Sequence, residues 1–298
     1  MTARSRARQE RLLAYAMLLP ALAAVLFLVV YPLGKVVDLS LRIGRSMNFS
    51  RIGLLPLGLG NYTRILADPA FRQACSTTLL YVVGSTAMAL AIGVLTALLL
   101  DLGFPGRRIF RTLLLLPWAV PGVVASIVFR WMFDPSFGVI NAMLRQLHVL
   151  DTDFPWLVDS RSALAAIMVP TVWKAYPLVT LTVLAALQTI PGELYEAAQM
   201  DGAGWLRRFR HVTWPGIAAA VILAALVSAL WIFRDIDIVY AATGGGPAGA
   251  TETLALYVYQ EAFEFYRIGT AAAAGVLMVV AAMVAAGGSL AAAGRQRL

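Results

Sequence analysis

Lys174, Arg234, Asp235 and Asp237 lie within or at the ends of long apolar runs, where charge is hard to keep. A cation at mid-helix in a bilayer costs roughly 2.5–3.5 kcal/mol on insertion scales, so such a residue pairs with a partner or faces water. Two kinds of chemistry suit the set. In one, Lys174, Asp235 and Asp237 form a relay for protons or sodium ions. In the other, they hydrogen-bond a hydroxyl-rich solute, while Trp173, Tyr176, Trp231 and Phe233 offer aromatic faces to its C–H surfaces. A purely structural reading makes Lys174 and Asp235 an ion pair inside a helix bundle.

Other chemistry is poorly provided for. Cys75 is the single cysteine, which excludes an internal disulfide and a cysteine metal cluster. His148 and His211 are the only histidines, and no serine-elbow motif occurs, so an embedded hydrolase has no machinery. Gly244-Gly245-Gly246-Pro247 invites a phosphate-loop reading, but no Gly-Lys-[Ser/Thr] follows, and a turn on the outer face fits better. The formal net charge of +8 does not point to nucleic acid, because the basic residues sit at the ends of apolar runs rather than on one soluble face.

The elements that position these residues are membrane helices. Hydrophobic residues make up 60% and charged ones 13% of the chain, against roughly 45–50% and 25% in soluble domains. Runs long enough to cross about 30 Å of hydrocarbon occupy residues 12–33, 75–100, 112–129, 162–189, 214–233 and 268–294. The third is short. Pro170 and Pro177 in the fourth predict a kink or local unwinding. The first run follows Arg4, Arg6, Arg8 and Arg11 as a signal peptide would, but its length and the lack of a small-residue cleavage site make it a retained helix. Arg107, Arg108 and Arg111, then Arg207, Arg208 and Arg210, then Arg295 and Arg297, fall on the same side as that basic N-terminus. Lys35, Arg42, Arg45, Arg51, Arg64 and Arg72 on the other side are diluted in longer, more acidic segments. Both termini are therefore expected in the cytoplasm. No repeat is visible, and the outer loop 34–74 reads as a small folded cap or irregular loop.

The segment 190–215 is unlike a plain turn. Leu194, Tyr195, Ala197, Ala198 and Met200 fit one short amphipathic helix, and Gly202 supplies a left-handed stop. Leu206, Phe209 and Val212 recur at helical spacing and predict a second short helix ending at Pro215, so that the two form a knob. A helix lying on lipid headgroups is the alternative.

Glu196-Ala197-Ala198, three residues, Gly202, and an apolar segment ending in Pro215 resemble the EAA loop of binding-protein-dependent ABC importer permeases. Glu193 to Ala198 with Asp201-Gly202-Ala203 is similar to the carbohydrate-uptake, maltose-type branch. The blocks Leu116-Pro117-Trp118-Ala119-Val120-Pro121, Trp131-Met132-Phe133-Asp134-Pro135, Val172-Trp173-Lys174-Ala175-Tyr176-Pro177 and Thr243-Gly244-Gly245-Gly246-Pro247 resemble that family's recurring segments in the same order, and the likeness covers residues 61–274.

This resemblance implies an all-α membrane protein of six transmembrane helices with the type I ABC importer permease architecture: a cytoplasmic segment 1–11, then a permease domain 12–298 with a coupling loop at 190–215. It implies ATPase coupling through Glu196, Ala197, Ala198, Asp201 and Gly202. A sugar, a disaccharide or oligosaccharide, is implied to touch Trp173, Lys174, Ala175, Leu178, Ser228, Trp231, Ile232 and Asp235. Lys174, Ile232 and Asp235 depart from the polar pattern of the maltose-type relatives, so no particular sugar carries over. The implied partners are a second homologous permease, two ATPase subunits, an external solute-binding protein and membrane lipid. The chain itself would be no enzyme and bind no cofactor or metal, ATP and Mg being held by the ATPase subunits. The rival reading is an ion-coupled secondary transporter, which has no need of a cytoplasmic knob.

Overall fold

The computed structural model describes residues 3–44 and 53–295, so Arg45, Arg51 and Arg297 of the charge pattern lie outside the described residues. Among the described residues, five helices are long and apolar enough to cross a membrane: Tyr15–Ser40, Pro69–Asp101, Ala163–Leu187, Trp205–Arg234 and Ile268–Ser289. A bent pair, Arg107–Ala119 and Gly122–Met132, makes a sixth when taken as one span. The only extended pairing among them is an isolated antiparallel bridge between Arg42 and Leu57.

One compact unit comprises Met1–Ala67 and Val258–Val279. Its first helix passes through a π-type turn at Leu26–Val30 and ends at Ser40. Beyond it, the described residues on either side of 45–52 are tied together. Buried Asn61 donates from Nδ2 to the carbonyls of Ser40 (2.9 Å) and Arg42 (2.8 Å). The Arg42 guanidinium reaches Asp38 at 3.0 Å and donates to the Gly53 carbonyl at 2.7 Å. These bonds take up backbone groups that the irregular chain would otherwise leave unpaired.

The second unit comprises Asp68–Tyr257 and Val280–Leu298 and carries the second to fifth spans. Asp68 caps the second span, its side chain accepting from the Ala70 N–H at 2.9 Å, with Pro69 at the first helical position. The second, fourth and fifth spans enclose the core, with Ala97, Leu100, Val179, Val183, Leu187 and Ile217 buried together. Small residues allow close approach: a methyl added at Gly93 would lie 2.6 Å from the Val179 Cβ.

Two expectations need correction here. The third run is not one helix, because its halves meet at a 95° bend. Val120, held extended (φ −72°, ψ 129°) as a residue before proline tends to be, ends the first half, and Pro121 has no N–H with which to continue it. The fourth run is helical throughout Ala163–Leu187, so the local unwinding expected at Pro170 and Pro177 does not occur. Both prolines are buried, and packing inside a bundle lets a helix continue where its ladder loses a donor.

A buried hydrogen bond of 2.5 Å joins the Tyr81 hydroxyl of the second span to Thr171 Oγ1 of the fourth. A double-mutant cycle with Tyr81→Phe and Thr171→Val, read by denaturation in mixed micelles, is expected to give a coupling energy of about 1 kcal/mol. Strict additivity of the two changes would mean that the bond does not join the spans.

Candidate functional site

A cavity of about 670 Å³ opens where the fourth and fifth spans face the break in the third. Thr171, Lys174 and Ala175 line it from the fourth span, Trp231, Ile232 and Arg234 from the fifth, and Asp235 to Ile238 from the segment that follows; Trp118 comes from the first half of the broken span. Both indoles are substantially exposed, Trp118 at 51% and Trp231 at 41%, so flat apolar faces stand open beside charged groups.

Each charge is held by local structure. Lys174 is the twelfth of the 25 residues in its helix, and its Nζ donates to the Val120 carbonyl at the break. Asp235 terminates the fifth span in an extended conformation, and its Oδ1 accepts the Asp237 N–H at 3.1 Å. Asp237 begins the short helix Asp237–Thr243, which is fixed to the second half of the broken span by Ser126 Oγ donating to the Ile238 carbonyl at 2.9 Å. Among the described residues no ion pair links Lys174 to Asp235, so the purely structural pairing considered from the sequence does not form.

Of the substrate residues expected from the sequence, Lys174, Ala175, Trp231, Ile232 and Asp235 come together around this cavity, whereas Trp173, Leu178 and Ser228 do not line it. Trp173 packs on Phe129, ring centroids 5.5 Å apart. Ser228 is buried, and its hydroxyl has no hydrogen-bond partner. Trp118 and Thr171 were not among the expected residues. Thr171 stands one helical turn before Lys174, a spacing that could have found it. Trp118 reaches the cavity only because its span is broken.

The other predicted site is the knob. Its helix is Gly192–Met200, with Glu196 and Ala197 exposed, as are Asp201 and Gly202 beyond its end, while Ala198 is half-buried. Gly202 has φ +70°, a conformation that favours glycine. Around it the Ala203 N–H donates to the Ala198 carbonyl at 2.9 Å and the Gly202 N–H to that of Gln199 at 3.0 Å, which together make a Schellman stop. Tyr195 ties the helix back, its hydroxyl 3.0 Å from Thr213 Oγ1. The expected second short helix is not separate. Trp205–Arg208 runs through a π-type turn, Phe209–Thr213, into the fifth span, and Pro215, just past that turn, bends the ladder without ending the helix. The knob is thus one exposed helix at the foot of a 30-residue helix. Gly244 to Gly249 form a turn, closed by Thr251 Oγ1 donating to the Gly246 carbonyl at 2.7 Å.

Gly202→Pro removes a donor and cannot adopt the positive φ. It is expected to open the knob, so that trypsin cuts after Arg207 and Arg208 severalfold faster in detergent, whereas Gly202→Asn, which tolerates this conformation, keeps the wild-type rate. Equal rates in all three proteins would show that the stop does not hold the knob.

Comparison with known proteins supplies the setting for both sites. Residues 89–295 match the model of the family described as binding-protein-dependent transport system inner membrane component. The sulfoquinovosyl glycerol transport system permease protein SmoG of Agrobacterium fabrum is 36% identical over 90% of this chain and 85% of its own. The trehalose/maltose transport system permease protein MalF of Thermococcus litoralis is 36% identical over 88% and 85%. A solved structure of a bacterial ABC transporter that imports alginate has a chain with the same fold, at a TM-score of 0.81 and 20% identity over 99% of both chains. The chain is all-α, with five or six helices among the described residues long and apolar enough to cross a membrane; its place is a multi-pass position in the membrane, and its role is transport without catalysis of its own. It belongs to the inner-membrane permease components of binding-protein-dependent ABC transport systems.

Proposed function

We propose that this permease imports a sugar, a disaccharide or short oligosaccharide, through the cavity beside the broken third span. That cavity carries the reading. Its volume of about 670 Å³ lies within the roughly 300–1,000 Å³ usual for small-molecule sites. Trp118 and Trp231 offer faces for the C–H surfaces of a pyranose, and Asp235 and Arg234 offer an acceptor and donors for its hydroxyls. Relatives named for sulfoquinovosyl glycerol and for trehalose/maltose support a glycosidic solute.

In this reading the chain pairs with a second permease, receives solute from an external binding protein, and docks two ATPase subunits that hold ATP and Mg. Both termini and the Glu196 knob face the cytoplasm, in keeping with the clusters Arg107 to Arg111 and Arg207 to Arg210. Closure of the ATPase pair on ATP carries the knob with it, and the motion passes into the fifth span because knob and span are joined through Thr213.

In the complex reconstituted with its binding protein, maltose, trehalose and a sulfonated glycoside are the probes. Glu196→Lys is expected to abolish sugar-stimulated ATP hydrolysis while the subunits still assemble. Asp235→Asn and Trp231→Ala are expected to raise the sugar concentration for half-maximal uptake about tenfold or more, as the loss of a charged hydrogen bond or an aromatic face should. Failure of all three probes to stimulate hydrolysis would overturn the sugar assignment, and wild-type stimulation in Glu196→Lys would overturn the coupling role. For orientation, an impermeant thiol reagent applied outside, in a Cys75→Ser background, should label a cysteine at Ala248 and spare one at Ala203. The reverse pattern would invert the topology.

A further inference from the structure

The break in the third span exposes two helix ends of opposite polarity, and two side chains of opposite charge meet them. The last carbonyls of a helix lack partners and carry partial negative charge; the first N–H groups of the next carry partial positive charge. At the end of the first half, the Lys174 ammonium donates to the Val120 carbonyl. At the start of the second half, Asp237 lies against Gly122, where a methyl would be 2.9 Å from the Asp237 Cβ and 3.1 Å from its Oδ2. Only a residue without Cβ allows the carboxylate this close to the first turn of the helix Gly122–Met132. The bond from Ser126 to the Ile238 carbonyl, 2.9 Å, keeps the segment bearing Asp237 in register with that half. Among the described residues neither Lys174 nor Asp237 has an ion-pair partner, so each is free to serve a helix end.

We infer that Lys174 and Asp237 are positioning residues that clamp the two ends of the broken span and so hold its bend open beside the cavity. Their charges stabilise the backbone of the joint, which leaves Arg234 and Asp235 as the charged groups available to a solute. This role holds whatever the solute is, and it is measurable without one.

Spin labels at Ile109 and Val128, both exposed and one on each half, read the joint in the assembled transporter in lipid nanodiscs with Cys75→Ser. Along a straight helix the two backbone positions would be ~28 Å apart, and at the observed 95° bend roughly 19 Å. Lys174→Met and Asp237→Asn are each expected to broaden the distance distribution and lengthen its mean by about 3–5 Å, a partial move toward the straight-helix value. Lys174→Arg and Asp237→Glu, which keep the charges, should restore the wild-type distribution, and Asp235→Asn should leave it unchanged. Should either neutral variant fail to assemble, Gly122→Ala tests the same joint with every charge present, because its methyl displaces the Asp237 carboxylate, and the same lengthening is expected. A wild-type distribution in any of Lys174→Met, Asp237→Asn or Gly122→Ala would overturn the paired clamp, as would equal disturbance by Asp235→Asn.

Discussion

A peptide backbone cannot be left bare where water is scarce, and the joint at Val120–Pro121 is where this constraint bears hardest on the chain. In hydrocarbon each unsatisfied carbonyl or N–H costs several kcal/mol, so a broken helix survives only where protein groups or a water-filled cavity receive what the break exposes. Here Lys174 receives the Val120 carbonyl, and the segment beginning at Asp237 closes on the other half. A lysine placed halfway along an apolar helix, costly by itself, becomes intelligible as the donor that a break in the neighbouring span requires.

The cavity follows from the same joint. A continuous third span would carry Trp118 along a helix packed beside the fourth; the 95° bend instead leaves a recess into which Trp118, Trp231 and the turn at Asp235 open. The fifth span ends at Arg234 because Asp235 is extended and binds the Asp237 N–H, so the chain turns sharply and returns Asp237 and Ile238 to the break. Polar groups of three segments thereby converge on one space. None of them is embedded in pure hydrocarbon.

How far these features were legible in the sequence depended on how local their causes are. Gly202 was readable because its left-handed stop follows from the residues immediately around it, and Glu196 because an exposed helix needs only its own pattern. Lys174 and Asp235 announced themselves by charge in apolar surroundings. Unwinding was expected at Pro170 and Pro177, where the span stays helical, and no break was expected at Pro121, where the pre-proline Val120 ends a short helix. Trp118 was missed for that reason. Leu178 and Ser228 came from the resemblance to the maltose-type family, but Leu178 lies one turn beyond Ala175 at the cavity wall and Ser228 is buried.

The second unit thus combines two opposite mechanical needs. At the break it wants stiffness, and it obtains this from charges fitted to helix ends and from the Ser126 bond, which act over short distances inside the protein where screening is weak. At the knob it wants an exposed surface joined to a long lever, and Leu194, Met200, Trp205 and Leu206 stand 51% to 89% exposed around Glu196. Scattered apolar residues on a surface need no explanation, but four on one small projection exceed what a free loop gains from solvent. A subunit docked there would cover them. In the coupling role proposed above, the continuous helix Trp205–Arg234 would join a partner docked at the knob to Trp231 and Arg234 at the cavity wall.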